Sequence, residues 1–198
     1  MKRFLSLLVS LFSLYSCSVP NYYVENKTQD FGVDFTNGKW MLNKIDAPLQ
    51  VEDKLKKNAL HDFKALLDDR LIAIEDVKGQ LLPKKIPLQP TKETLKELKI
   101  GTNFDYIINL KASNLKQDFD SVSLTNHKFQ NGEINSNEVI IEIYDLSLLE
   151  IIYSQKVIGS ASIPENSSSD VHFSKSSNSL ILGAYKKLMK ELKNKSIK

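Results

Sequence analysis

Two stretches of this chain place an apolar residue at every fourth position. Val51, Leu55, Ala59, Phe63 and Leu67 form the first stripe, which Leu60 and Leu66 widen. Lys54, Lys56, Lys57, Asp62 and Lys64 fall largely on the opposite, wet side. Spacing of this kind predicts an amphipathic helix from Leu49 to about Asp68, with Asp46-Ala47-Pro48 as the turn that starts it. The second stripe is Leu180, Ala184, Leu188 and Leu192, with Ile181, Tyr185 and Met189 beside it. It predicts a helix from about Ser176 to Lys193, whose last turn is rich in lysine, as the helix dipole favours.

Between the helices the period shortens. Trp40 to Asp46 reads as a first strand, although its alternation is imperfect. Leu71-Ile72-Ala73-Ile74 is a short apolar run between charged flanks, the pattern of a strand buried on both faces. Pro83, Pro87 and Pro90 make the next segment extended. Thr91 then caps a short helix through Leu98, with Leu95 and Leu98 inward and Gly101 as a stop. Phe104 to Ala112 is aromatic and β-branched, which suits a pleated surface. Val139–Leu146 and Glu150–Ala161 are two further strands. The link between them is short enough for a hairpin, so they are expected to be antiparallel neighbours. Ser113 to Asn137 is polar, with Asn131-Gly132 as a turn signal and Val122 and Leu124 as a brief edge. Pro164 to Ser174 is serine-rich. The predicted order is β-α-β-α-β-β-β-α: an α/β (α+β) fold with a mixed sheet of about five strands and helices packed on it.

The N-terminus follows a different rule. Lys2 and Arg3 precede Phe4 to Tyr15, a run of apolar and hydroxyl residues without charge. That is the secretory pattern. The run is shorter than the ~20 apolar residues a membrane-spanning helix needs. A core helix would want a polar face, and only serines are available for one. Leu14-Tyr15-Ser16-Cys17 then resembles the lipobox of bacterial lipoprotein precursors: an aliphatic residue three before the cysteine, and a small one just before it. Tyr15 is bulkier than usual at its place. The resemblance implies cleavage between Ser16 and Cys17, loss of residues 1–16 as a signal peptide, and acylation of Cys17. Each buried methylene of an acyl chain contributes about 0.8 kcal/mol, and more than one chain makes attachment lasting. Ser18 stands where an aspartate commonly retains lipoproteins in the inner membrane, and no acidic run follows. Both point to the outer membrane, facing the periplasm. Residues 17–39 read as an acylated N-terminus and tether, with Tyr22 and Tyr23 available to the lipid interface. Residues 40–198 read as one domain.

Composition narrows the picture. The 198 residues carry 27 basic and 24 acidic side chains. Loss of Lys2 and Arg3 with the leader brings the net charge from +3 to +1, so neither charge nor export favours a nucleic-acid partner. Cys17 is the only cysteine, so no disulfide staples the chain internally and apolar burial must hold the fold.

The element order, with Leu95-Lys96-Glu97-Leu98 leading into Phe104-Asp105-Tyr106-Ile107-Ile108, resembles the CsgG/LpoB-type periplasmic lipoprotein domain, which is related in fold to the N-terminal domain of TolB. The segment from Ile141 to Ser154 is similar to that family's hairpin. Leu149 replaces its usual glycine before the second strand, and Asn109 replaces the glycine after its first. The resemblance spans roughly Trp40 to Leu192. It implies a non-catalytic protein that docks on an envelope protein complex or on itself. A pore needs lipid-facing strands of ~9–11 residues, and Asn126 to Asn137 is too polar for one.

No catalytic constellation appears. His61, His127 and His172 stand at no metal-ligand spacing. His61 falls on the wet side of the first long helix. His172 lies near Ser174 without an orienting acid. Asp68-Asp69 and Asp118 with Asp120 lack a glycosidase or EF-hand context. The glycines are scattered singly and form no phosphate loop. Lys54, Lys56, Lys57 and the C-terminal lysines read as solvated helix faces, with anionic lipid or cell-wall polymer as a secondary partner. The sequence therefore assigns no catalytic residue, cofactor or metal. The alternative is a periplasmic enzyme or small-ligand-binding lipoprotein whose site carries no recognised motif.

Overall fold

The computed structural model describes residues 20–25, 32–78, 82–116, 133–162 and 176–197. Ser16 and Cys17, with the rest of the leader, lie outside the described residues. So do His127, His172, Asp118, Asp120, Val122, Leu124, Asn131-Gly132 and the serine-rich stretch from Pro164 to Ser174.

The chain forms β1 (Pro20–Glu25), β2 (Trp40–Leu42), α1 (Leu49–Leu67), β3 (Leu71–Ala73), α2 (Lys92–Gly101), β4 (Tyr106–Lys116), β5 (Glu133–Asp145), β6 (Glu150–Ser162) and α3 (Ser177–Lys195). One mixed sheet runs β1-β6-β5-β4-β2-β3. β2 is parallel to β3 and β4, and the remaining pairs are antiparallel. The predicted α/β class and element order are observed, with one addition. Pro20–Glu25, expected within the tether, is a sixth strand paired with Lys156–Ala161 of β6. Its short sequence has no alternation that marks a strand. Its seat is made by distant glycines: a Cβ at Gly159 or Gly183 would run into the Tyr22 ring.

Helices α1 and α3 cover one face of the sheet. Val51, Leu55, Ala59 and Phe63 from α1 meet Ile181, Ala184 and Leu188 from α3 over Val139, Ile141 and Ile143 of β5, all within one buried cluster. Trp40 is fully buried there. Its ring stacks on Tyr106 at 4.2 Å and lies 5.1 Å from Phe35. Asp62, expected on the wet side of α1, is instead half-buried. It accepts hydrogen bonds from Tyr185 Oη (2.9 Å) and Lys193 Nζ (2.6 Å), which ties α1 to α3. Burial, then the Asp62 charge, pushes the Tyr185 hydroxyl far above its ordinary pKa.

The other face carries α2 and an extended strap over Leu82–Pro90. Thr91 caps α2 as predicted, its Oγ1 accepting from Thr94 N at 3.2 Å. Leu95, Leu98, Ile86 and Phe104 close over Met41, Ile107 and Tyr144. Ser176 caps α3 in the same manner.

β3 departs from expectation. It is an edge strand rather than one buried on both faces: Ile72 is 37% exposed, and Ile74 begins a 3-10 turn. β4 and β5 are longer than their apolar runs predict and extend into polar sequence through Lys116 and from Glu133. The two strands continue to pair there, and Ser113 Oγ donates to Glu138 Oε1 across them at 2.7 Å. β5 and β6 are joined by the predicted short turn, with Leu149 at φ +57°.

Candidate functional site

Beyond the reach of α2, the second face of the sheet is polar. Alternation along β4 and β5 carries Asn109 and Glu142 onto it, directly opposite one another. Ser154 pairs with Glu142, Lys156 with Ile140, and Glu25 with Lys156, so the row continues to the β1 edge. Lys156 Nζ bridges Glu25 and Glu138, the latter at 3.8 Å.

The strap is pinned to this face by side chains. Asn43 Nδ2 donates to the Ile86 carbonyl (2.7 Å) and to Asn109 Oδ1 (2.8 Å). Ile86 N donates back to Asn43 Oδ1 at 3.1 Å. Asn109 Nδ2 reaches the Pro87 carbonyl at 2.9 Å. Gln89 N is shared between Glu142 Oε2 (3.1 Å) and Tyr144 Oη (2.9 Å), and the Tyr144 hydroxyl itself donates to Glu142 Oε2. Gln89 sits at φ +50°, a left-handed conformation these contacts hold in place. Glu142 is only 3% exposed. Burial, followed by the Glu142 hydrogen bond and charge, pushes the Tyr144 hydroxyl well above its usual range. That phenol donates to Glu142 and accepts from Gln89 N, joining the strap to the strand.

A cleft of about 320 Å³ opens beside this network, lined by Glu25, Gln89, Ile140, Glu142, Ser154 and Lys156, with Gln155 adjacent. It offers carboxylates, an ammonium, a carboxamide and a hydroxyl. Among the described residues no imidazole lines it: His61, the one histidine described, is exposed on α1, across the sheet. Asp68 and Asp69 lie exposed in the turn after α1. Among the described residues no group of three or more His, Cys, Asp or Glu side chains is placed to hold a metal ion. The arrangement suits recognition of a polar group.

A second cleft, about 400 Å³, lies at the β3 edge, with Lys39, Arg70, Ile72, Asp76, Lys78 and Phe104 on its walls. Arg70 is held by the carbonyls of Phe35 (2.6 Å) and Gly38 (3.4 Å). Asp105 lies nearby. The Lys39 N–H, then the Lys99 ammonium, hold its carboxyl below the usual range.

Asn43 and Gln89 have no place among the motifs read from sequence, and Asn109 and Glu142 enter only within the resembled segments, with no role assigned. Their one sequence signal is a polar residue inside an apolar strand run: Asn109 after Ile107-Ile108, and Glu142 between Ile141 and Ile143.

No family model matches the chain, and no curated protein does. Among solved structures it is similar to the PelC dodecamer from Paraburkholderia phytofirmans, at 12% identity over 86% of this chain and 98% of that one, with a TM-score of 0.39. A putative neuraminyllactose-binding hemagglutinin homolog from Helicobacter pylori gives 11% identity, 86% and 91% coverage, and a TM-score of 0.40. Lipoprotein GNA1162 from Neisseria meningitidis gives 8%, 80% and 99%, and 0.36. Likeness at this level transfers no ligand, partner or assembly to the chain.

Proposed function

We propose that the chain is a bacterial envelope lipoprotein, cleaved between Ser16 and Cys17 and anchored through acylated Cys17 to the periplasmic face of the outer membrane. Its domain, of the CsgG/LpoB type, is a non-catalytic binding and assembly module for an envelope protein complex or for further copies of itself. The observation that carries this reading is the lone cysteine in Leu14-Tyr15-Ser16-Cys17, placed directly after a basic and then uncharged apolar leader. The sheet adds support: its buried polar groups brace a strap.

Metabolic labelling with an alkynyl fatty acid, with membrane fractionation, tests the anchor. The parent protein takes up label and sediments with the outer membrane, and Cys17→Ser abolishes both. Unchanged fractionation and no label in the parent would remove the anchor. In-cell crosslinking and mass spectrometry test the module. A stoichiometric envelope partner or self-crosslinks support it, whereas a hydrolase activity lost on one substitution in the domain overturns it. The cleft around Glu142 favours a second reading, a small-ligand-binding lipoprotein. Glu142→Gln abolishes ligand capture under that reading and leaves the crosslinks unchanged.

A further inference from the structure

We propose that the β1 edge of the sheet is the surface this domain lays against the phospholipid bilayer. The inference rests on the acylation of Cys17 and goes beyond it, because an anchor alone does not say which surface faces the lipid. Only Ser18 and Val19 separate Cys17 from Pro20, the first residue of β1. Three Cα steps span at most about 11 Å. The start of β1 is therefore confined to the headgroup layer or just above it.

β1 is not a free leash that would let the domain drift away. It pairs along all six residues with β6. Tyr22 fills the space left by Gly159 and Gly183, and Lys156 binds Glu25 at the far end of the strand. The domain thus rides on its anchor strand. Tyr23 points to the other side of the strand and is 43% exposed. A phenol ring with an apolar body and a polar tip favours the lipid–water interface. Among the described residues β1 also ends the sheet, and proteins keep open strand edges from pairing with other chains by covering them. A bilayer surface covers this one. β3 closes the opposite side, five strand spacings or about 24 Å away. The cleft with Lys39, Arg70 and Lys78 is thereby turned toward the periplasm.

The test uses the full, acylated protein in phosphatidylethanolamine–phosphatidylglycerol vesicles that carry a headgroup nitroxide. Acylation consumes the only native thiol, so a single introduced cysteine takes a fluorophore at one site. Tyr23→Cys and, should that variant fold poorly, Asn21→Cys report β1; Ile72→Cys reports β3. Loss of most emission at position 23 or 21, with emission at 72 unchanged, is the expected result. Equal quenching at both edges, or none at either in protein that floats with the vesicles, overturns the orientation. A parent protein that takes up fluorophore at Cys17, or fails to float, overturns the acylation reading instead and is recognised before any variant is compared.

Discussion

Gly183 lies in the interior of α3, where glycine is usually a cost. Replacing it with alanine in a helix ordinarily stabilises by about 0.5–1 kcal/mol. Here the opposite is expected. The three nearest atoms to a Cβ at position 183 all belong to Tyr22: its hydroxyl oxygen, Cζ and Cε1. The new methyl would occupy the space of the phenol, and overpacking of that kind costs about 1–3 kcal/mol. Among the described residues β1 pairs on one side only, so the strand, not the helix, is expected to yield. A shift of about 1–3 kcal/mol raises the population with β1 detached by roughly 5- to 150-fold. Hydrogen exchange of the β6 amides that face β1 reads this directly, and urea unfolding reads the global cost. The decisive comparison is made in a Tyr22→Ala background. With the ring gone, Gly183→Ala regains its helix propensity and turns stabilising, so the substitution reverses sign between the two backgrounds. Equal effects in both, or unchanged β6 exchange in Gly183→Ala alone, would refute the slot and with it the fixed seat of the anchor strand.

Other substitutions probe the strap, the caps and the charges. Asn43→Ala leaves the Ile86 N–H and carbonyl and the Asn109 carboxamide short of partners. It is expected to cost about 3 kcal/mol and to speed tryptic cleavage after the exposed Lys84 and Lys85; an unchanged digestion rate would count against the pinning. Thr91→Ala removes the α2 cap and should lower stability by about 1 kcal/mol in urea unfolding, with the sheet's amide protection unaltered. Asp105 has a folded pKa below its unfolded value of about 3.9. Its charge therefore stabilises the fold above that pH, and the contribution is lost as pH falls through the folded pKa. The urea midpoints of parent and Asp105→Asn should differ near neutrality and converge once the pH falls below the folded pKa; a gap that widens in acid would contradict the sign.

Most of the scaffold is legible in the sequence because apolar periodicity reports burial. The stripes Val51–Leu67 and Leu180–Leu192 mark α1 and α3, and Thr91 marks the cap of α2. What escapes has a common physical origin. β1 owes its place to two glycines more than a hundred residues away, and glycine leaves no periodic trace. Ile72 stands in a run that looks doubly buried, yet its strand closes the sheet, and edge position is a property of topology. Asp62 follows the polar face of its helix, but a second helix crosses that face and turns a wet position into a half-buried one. Within the candidate site, Asn109 and Glu142 appear only as interruptions of apolar strands. Their purpose requires the strap above them, which proline marks as extended without saying where it lies.

The two faces of the sheet differ in how they are held, and that difference orders the molecule's local stability. On the α1–α3 side, buried aromatic and aliphatic side chains interlock around Trp40 and Phe63, so opening there exposes much of the core at once. On the other side the strap is held by Ile86 in the second buried cluster and a handful of hydrogen bonds, while β1 is held by one ladder, Tyr22 and Val24 against the core, and the Glu25–Lys156 ion pair. Segments with few apolar contacts open at lower free energy than the core. The strap over Glu142 and the anchor strand, with fewer apolar contacts than the α1–α3 core, are therefore expected to open before that core does. Both border the same polar row: Glu25 lies on β1, Gln89 on the strap, and Lys156 and Glu142 between them. A partner or ligand that engages this row bears on the two most easily displaced elements of the fold together, and one of them leads directly to the proposed lipid anchor.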